Sequence, residues 1–209
     1  MDAKSHWERV YRETGPEQVS WFQREATLSH ALIEQVAPDR DAAILDVGAG
    51  ASTLVDGLLR AGYRRLTVLD VSAAALGQAQ RRLGAEAATV VWREADILSV
   101  QLPAATVDVW HDRAVFHFLT APADRARYVA QVQHAVRPGG HVLVSTFAED
   151  GPTRCSELDV VRYSSAELHG QFGPDFRLVK CQREEHITPW GALQAFTYCL
   201  CRHEPRTHQ

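Results

Sequence analysis

The residues best equipped for chemistry fall into short groups. Asp46-Val47-Gly48-Ala49-Gly50-Ala51-Ser52 sets a carboxylate two residues ahead of a Gly-x-Gly turn, Asp70 and Asp96 each follow a β-rich run, and His111-Asp112-Arg113 places a base, an acid and a fixed cation in succession. Glycine lets main chain approach a bound group closely, and a helix after such a turn presents free N–H groups. A Gly-x-Gly turn alone is weak evidence, since tight strand-to-helix turns use glycine for structural reasons; a strand before and a helix after strengthen it. The dinucleotide fingerprint Gly-x-Gly-x-x-Gly needs a third glycine where this chain has Thr53. Three carboxylates around the turn would also repel a pyrophosphate. They suit a ligand that carries a sulfonium, an ammonium, ribose hydroxyls and an adenine amino group.

Such a site needs strands that end together. The chain alternates short β-rich runs with helical ones, which points to βαβ units and a mainly parallel sheet. Ala43–Val47 reads as a buried strand, and a helix from Ser52 puts Leu54, Val55, Leu58 and Leu59 on one face before Gly62 stops it. Leu66–Leu69 is a second strand ending at Asp70, after which Ser72 caps a helix running through Leu76 and Ala79 to Gly84. Thr89–Trp92 and Val107–Trp110 are the third and fourth strands, Pro122–Val136 is a helix, and Pro138-Gly139-Gly140 turns into a fifth strand, His141–Phe147. Ser164-Ser165-Ala166-Glu167 has capping-box spacing and opens a short helix. Two final strands, about Phe176–Cys181 and Gln194–Cys201, flank a loop with Pro189 and Gly191, so the sheet finishes antiparallel. Residues 1–42 contribute helical stretches around Trp7–Tyr11 and at Thr27–Val36, separated by Val19-Ser20-Trp21-Phe22-Gln23. Ligands of open parallel sheets sit outside the carboxyl ends of the strands, where Asp46, Asp70 and Asp96 fall.

Through AAILDVGAGAS, LTVLDVS, READI and VRPGGHVLVSTF, in that order, the chain resembles the class I S-adenosylmethionine-dependent methyltransferases over roughly residues 40–202. The resemblance implies an α/β fold, a three-layer, doubly wound, mostly parallel sheet of seven strands in the order 3-2-1-4-5-7-6 with the last strand antiparallel. It implies S-adenosylmethionine as cofactor, S-adenosylhomocysteine as product, and no metal. Gly48, Ala49 and Gly50 would line the methionine part, with Asp46 at the edge of that turn. Asp70 would accept the ribose hydroxyls; Asp96 would take the adenine amino group, with Val71 and Ile97 on the ring faces. Each Asp also has a plain structural alternative, capping a helix or closing a turn. Ala51-Ser52 departs from the further glycine that many relatives carry.

Methyl transfer from a sulfonium is an in-line displacement, governed mostly by proximity and orientation, and it needs a base only when the acceptor is protonated. The stretch after the fourth strand is where catalysis is expected. His111 could accept a proton with Asp112 orienting its ring, and Arg113 could hold a carboxylate or phosphate of the acceptor. The plain alternative has His111 as a satisfied loop histidine, Asp112 capping a short helix near Ala114, and Arg113 paired with Asp108 or Asp112. His117 reads as packing between Phe116 and Phe118. Trp7, Tyr11, Trp21 and Phe22 either form a lid whose aromatic faces contact the sulfonium or acceptor, or simply pack residues 1–42 on the sheet. SHWERVY followed by VSWFQ resembles small methyltransferase-like proteins, among them enzymes that modify lysine in proteins.

Composition sets the outer bounds. The chain has 209 residues, 45% hydrophobic, with 22 Lys+Arg against 26 Asp+Glu for a formal charge of -4. One domain is the default at this length, divided into a helical lid (1–42), a core (43–202) and a polar tail (203–209). No basic cluster speaks for nucleic acid, no run is long enough for a membrane span, and the start of the chain lacks a signal peptide's apolar core. Cytoplasmic location, a small-molecule or protein methyl acceptor, and a monomer or homodimer are the expectations. Cys155, Cys181, Cys199 and Cys201 show neither metal spacing nor a disulfide framework, so reduced thiols are expected and a metalloid acceptor at Cys199 and Cys201 is set aside. Two other readings are a nicotinamide-dependent oxidoreductase, disfavoured by Thr53 and the carboxylates, and a cofactor-binding regulator without turnover.

Overall fold

The computed structural model describes residues 2–205. The apolar runs pair as strands β1 (Ala43–Val47), β2 (Arg65–Asp70), β3 (Val91–Glu94), β4 (Val107–Arg113) and β5 (Val136–Phe147). A two-residue hairpin, β6 (Arg154–Cys155) and β7 (Leu158–Asp159), was not expected from the pattern; the long strands β8 (Phe176–Ile187) and β9 (Leu193–His203) follow. The main sheet has seven strands in the order β3-β2-β1-β4-β5-β9-β8. β1 to β5 pair in parallel, and β9 runs antiparallel to both β5 and β8. Counted along this sheet the order is 3-2-1-4-5-7-6, the α/β architecture that the resemblance implies.

The helices are α1 (Ala3–Glu13), α2 (Thr27–Val36), α3 (Leu54–Arg60), α4 (Ala73–Leu83), α5 (Pro122–Ala135) and α6 (Ser165–Gly170). Ser72 caps α4 by accepting from Ala75 N, and Ser164 with Glu167 forms the capping box of α6. Period-two alternation divides the strand side chains between two cores. Ile44, Val68, Val109, Leu143 and Phe196 meet α2, α3 and α4 on one face, while Leu45, Leu69, Trp110, Val142 and Val144 meet Tyr128 and Val132 of α5 and Leu168 of α6 on the other. Helices on both faces give the three layers, and the strand order reverses between β1 and β4, where ligands of such sheets bind.

Boundaries moved where partners far along the chain override local pattern. The third strand begins at Val91 rather than Thr89, and β5 takes in Pro138-Gly139-Gly140, with a register irregularity against β4. β8 runs six residues past Cys181, to Ile187. His203, grouped by its polar neighbours with the tail, closes β9: it is buried, bonds Val136 O at 2.9 Å and stacks on Phe176. Residues 206–209 of the expected tail lie outside the described residues. The shift with the greatest consequence is in β4, which ends at Arg113 instead of Trp110, so His111 and Asp112 are strand residues, not loop residues.

Candidate active site

In the parallel pair of β1 and β4, Asp46 stands beside His111, and Val47 beside Asp112. Residues in register share a face, whereas consecutive residues point to opposite faces. His111 therefore meets Asp46: its Nδ1–H donates to Asp46 Oδ1 at 2.6 Å, and its Nε2 shares a hydrogen bond with Ser29 Oγ of α2 at 2.9 Å. All three side chains are buried. Asp46 Oδ2 is buried with no hydrogen-bond partner among the described residues.

Asp112 does not orient His111; strand alternation sends it to the other face of the sheet. Its Oδ1 accepts from Val115 N at 3.0 Å and its Oδ2 from Phe116 N at 3.1 Å and Tyr128 Oη at 2.5 Å. Trp110 Nε1 donates to the same Tyr128 hydroxyl at 2.8 Å. Asp112 thus caps the turn at residues 115–118, its plain structural alternative. Burial pushes its carboxyl up to about 6.

Arg113 is also committed elsewhere. Nε donates to Tyr198 Oη at 2.8 Å, one terminal nitrogen to Trp21 O at 3.1 Å and the other to Glu184 Oε2 at 3.1 Å, with the guanidinium carbon 4.2 Å from the centre of the Phe196 ring. Its partner is neither Asp108 nor Asp112, and each of its three nitrogens already donates to a group of the protein. Arg113 fastens the loop before α2 instead, helped by Gln23 donating to Glu184 Oε1 at 2.9 Å and His186 Nε2 donating to Ser20 O at 2.7 Å.

A cavity of about 320 Å³ opens at the carboxyl ends of β1, β2 and β4. Asp46, Gly48, Ala49, Asp70, Val71, Asp96 and Ile97 line it, as do Trp21, Phe22, His111 and Arg113. Gly50 lies just behind the wall. Gly48 and Gly50 both have φ of +57°, and an added Cβ would meet Val115 Cγ2 at 2.1 Å and Tyr11 Oη at 2.0 Å respectively, so glycine is required at both. Asp70 accepts from Gly50 N at 2.7 Å and Ser72 N at 2.8 Å, and burial pushes its carboxyl up to about 6 against the pull of those bonds. Asp96 is exposed at the rim and accepts from Leu98 N at 2.9 Å.

The N-terminal aromatics pack residues 1–42 against the sheet and also line the cavity. Trp7 meets Trp21 and Phe118 edge-on at 5.7 and 5.0 Å, and Tyr11 meets Trp21 at 6.4 Å, while all four line the cavity. Glu8 ties α1 to the N-terminus of α4, its Oε2 accepting from Ser72 Oγ at 2.8 Å and Ala74 N at 3.1 Å. His117 is a packing residue against Phe118 and Phe147, and burial lowers its pKa to about 3.

Sequence reasoning missed Glu8, Ser29, Cys155, Glu184 and Tyr198. Ser29 had a usable signal: it shares the apolar face of α2 with Leu32 and Ile33, and a lone hydroxyl on a core face needs a polar partner. Glu184 was hidden once β8 was ended at Cys181. Among the described residues no group of three or more His, Cys, Asp or Glu is placed to hold a metal, and no helix is long and apolar enough to cross a membrane.

Known proteins resemble the chain in sequence and in fold. Residues 44–140 match a family described as a methyltransferase domain. The chain is 26% identical to the eEF1A lysine and N-terminal methyltransferase of Danio rerio over 98% of this chain and 31% of that protein. It is 33% identical to an uncharacterised methyltransferase of Mycobacterium tuberculosis over 56% of each. The chain thus spans about a third to a little over half of these relatives' length. Among solved structures, the N-methyltransferase NodS from Bradyrhizobium japonicum, in complex with S-adenosylhomocysteine, superposes with a TM-score of 0.74 at 17% identity, over 98% of this chain and 100% of that one. Strand order and family match agree: residues 44–140 match a methyltransferase domain, and the chain around them has the fold of solved class I methyltransferases.

Proposed function

We propose that the chain is an enzyme that moves a methyl group from S-adenosylmethionine to a nucleophile on a small molecule or a protein side chain. The observation that carries this reading is the set of Asp46, Asp70 and Asp96 on the wall of one cavity, at strand ends around a glycine turn that admits no Cβ. The residues fit the cofactor. Asp70 is aimed by Gly50 N and Ser72 N and keeps lone pairs for ribose hydroxyls. Asp96 at the rim takes the adenine amino group between Val71 and Ile97. Gly48, Ala49 and Gly50 back the methionine part, with Asp46 at the edge of that turn, its Oδ2 buried and without a hydrogen-bond partner among the described residues. When bound, the cofactor supplies an electrophilic methyl on a sulfonium; the protein's task is to align a nucleophile with it and to exclude water.

Residues 1–42 serve as the lid over a core of residues 43–202 within one domain. Trp7, Trp21, Phe22 and Phe118 form its apolar wall, against which an acceptor is held dry. The guanidinium of Arg113, being neutralised by Glu184, does not select an anion; carboxylates and aromatic faces favour an amine or a neutral group. Four unpaired thiols suit a reducing, cytoplasmic setting.

His111 acts as a positioning residue for Asp46, since both its ring nitrogens are engaged away from a free acceptor position. His111→Ala is expected to weaken S-adenosylhomocysteine binding by about tenfold, because Asp46 loses the donor that fixes its orientation. Parallel titration and turnover measurements check this: a hundredfold loss of turnover at unchanged affinity, with the acidic limb of the pH profile gone, would make His111 a general base instead. The reading as a whole is tested by incubating the protein with methyl-labelled S-adenosylmethionine and with protein and metabolite extracts. Label transferred to an acceptor is the expected result. Tight cofactor binding with no label moved in any extract would replace the enzyme by a cofactor-binding regulator.

A further inference from the structure

Three of the four cysteines gather on one face at the far side of the sheet, away from the cavity. Cys181 of β8 and Cys199 of β9 are direct partners in the antiparallel register, and their sulfurs are 3.1 Å apart. Directly opposed antiparallel residues have Cα atoms about 4.5 or 5.5 Å apart, and both spacings fall in the range that a disulfide spans. Cys201 lies two residues further along β9 on the same face, opposite Leu178. We propose that Cys181 and Cys199 form an intramolecular disulfide on exposure to a hydroperoxide, making this pair a thiol-modification site separate from the methyl-transfer cavity.

The two sulfurs have different roles in the reaction. Cys181 is half-buried and reachable by a small oxidant, whereas Cys199 is fully buried and donates to Ser165 O at 3.5 Å. Burial and the neighbouring Cys181 sulfur push the Cys199 thiol well up, and burial pushes Cys201 up to about 12, so both stay protonated and neither reacts first. Hydrogen peroxide transfers one oxygen to the Cys181 sulfur, giving a sulfenic acid and water. The Cys199 sulfur then attacks the Cys181 sulfur: the S–S bond forms, the S–O bond breaks, and hydroxide leaves with the Cys199 proton as a second water. Two thiols are oxidised and one peroxide is reduced. The sulfur already in contact with Cys181 makes this closure faster than further oxidation to a sulfinic acid.

The full chain is treated with hydrogen peroxide, its remaining thiols are alkylated, and the protein is mapped without reduction. Two of the four cysteines should resist alkylation, and the intact mass before alkylation should fall by ~2 Da, the loss of two hydrogens. Cleavage after Lys180, Arg183 and Arg202 leaves Cys199 and Cys201 on one peptide, so the map is repeated on Cys201→Ser and Cys201→Ala, in which the link must persist, and on Cys199→Ser, in which it must vanish. Fragmentation of the linked wild-type peptide locates the bond even if a variant fails to fold. Cys181 recovered as an unlinked sulfinic or sulfonic acid, a link to Cys201, or four alkylated cysteines would each overturn the proposal.

Discussion

Asp70→Asn is expected to weaken S-adenosylhomocysteine binding by roughly tenfold to a hundredfold, the worth of about 1.5–3 kcal/mol for hydrogen bonds to a charged acceptor. The variant keeps side-chain size, and its amide oxygen can still accept from one of Gly50 N and Ser72 N, which now hold the carboxylate at 2.7 and 2.8 Å. What it loses is the charge, and the charge gives the prediction a pH signature. Burial raises the Asp70 carboxyl to about 6, from an ordinary value of 3.8. The folded chain therefore holds a proton there that the unfolded chain has released at pH between those values. Any stability from this group is present below the unfolded value and lost as pH rises through about 6; Asp112 is raised to about 6 as well and adds in the same direction. Cofactor binding runs the opposite way, because ribose hydroxyls are best received by the ionised form. Affinity should fall by up to about tenfold per unit as pH drops below about 6. Calorimetric titration across that range checks both parts: wild type should show the slope and Asp70→Asn should lack it. Unchanged affinity and slope in a folded variant would remove Asp70 from the site.

Glu184→Ala carries the largest expected cost in stability. Arg113 and Glu184 are 9% and 14% exposed at their side chains, and removing the carboxylate leaves a guanidinium buried against Phe196 with only neutral partners. Breaking a buried pair from one side costs about 3–5 kcal/mol, far more than an exposed pair is worth. For a chain of this size that lowers the melting temperature by roughly 6–20 °C. Gln23 loses its acceptor at the same time, so the loop carrying Trp21 and Phe22 loosens over the cavity. Arg113→Leu combined with Glu184→Ala should recover a large part of the loss, because no unpaired charge remains. Thermal unfolding of the single and double variants decides it. A single variant that melts within a degree or two of wild type, or a double variant no better than the single, would show that the pair does not hold this wall.

What could be read from the sequence followed local rules. The parallel core, the glycine turn and the carboxylates at its strand ends are each signalled within a few residues, by alternation, by Gly-x-Gly and by a cap such as Ser72. The terminal hairpin, with its Pro- and Gly-containing loop, was legible in the same way. The wall where an acceptor would sit was not, because its polar residues are satisfied from far along the chain. His111 looks like loop until Asp46 and Ser29, 65 and 82 residues away, are seen to receive it. Arg113 looks free until Glu184 appears 71 residues later. Consecutive polar residues in a strand buried on both faces imitate a loop in pattern, and here that shortened β4 by three residues and joined Asp112 to the wrong partner. The contact of Cys181 with Cys199 was likewise invisible to spacing, since cross-strand register decides it.

The most direct test of the central claim is a pair of calorimetric titrations of the purified chain, one with S-adenosylhomocysteine and one with a reduced nicotinamide dinucleotide. Three carboxylates about the glycine turn, and Thr53 where a dinucleotide site needs glycine, lead to saturable one-to-one binding of S-adenosylhomocysteine and no heat from the dinucleotide. Saturable binding of the dinucleotide with none of S-adenosylhomocysteine would contradict the account.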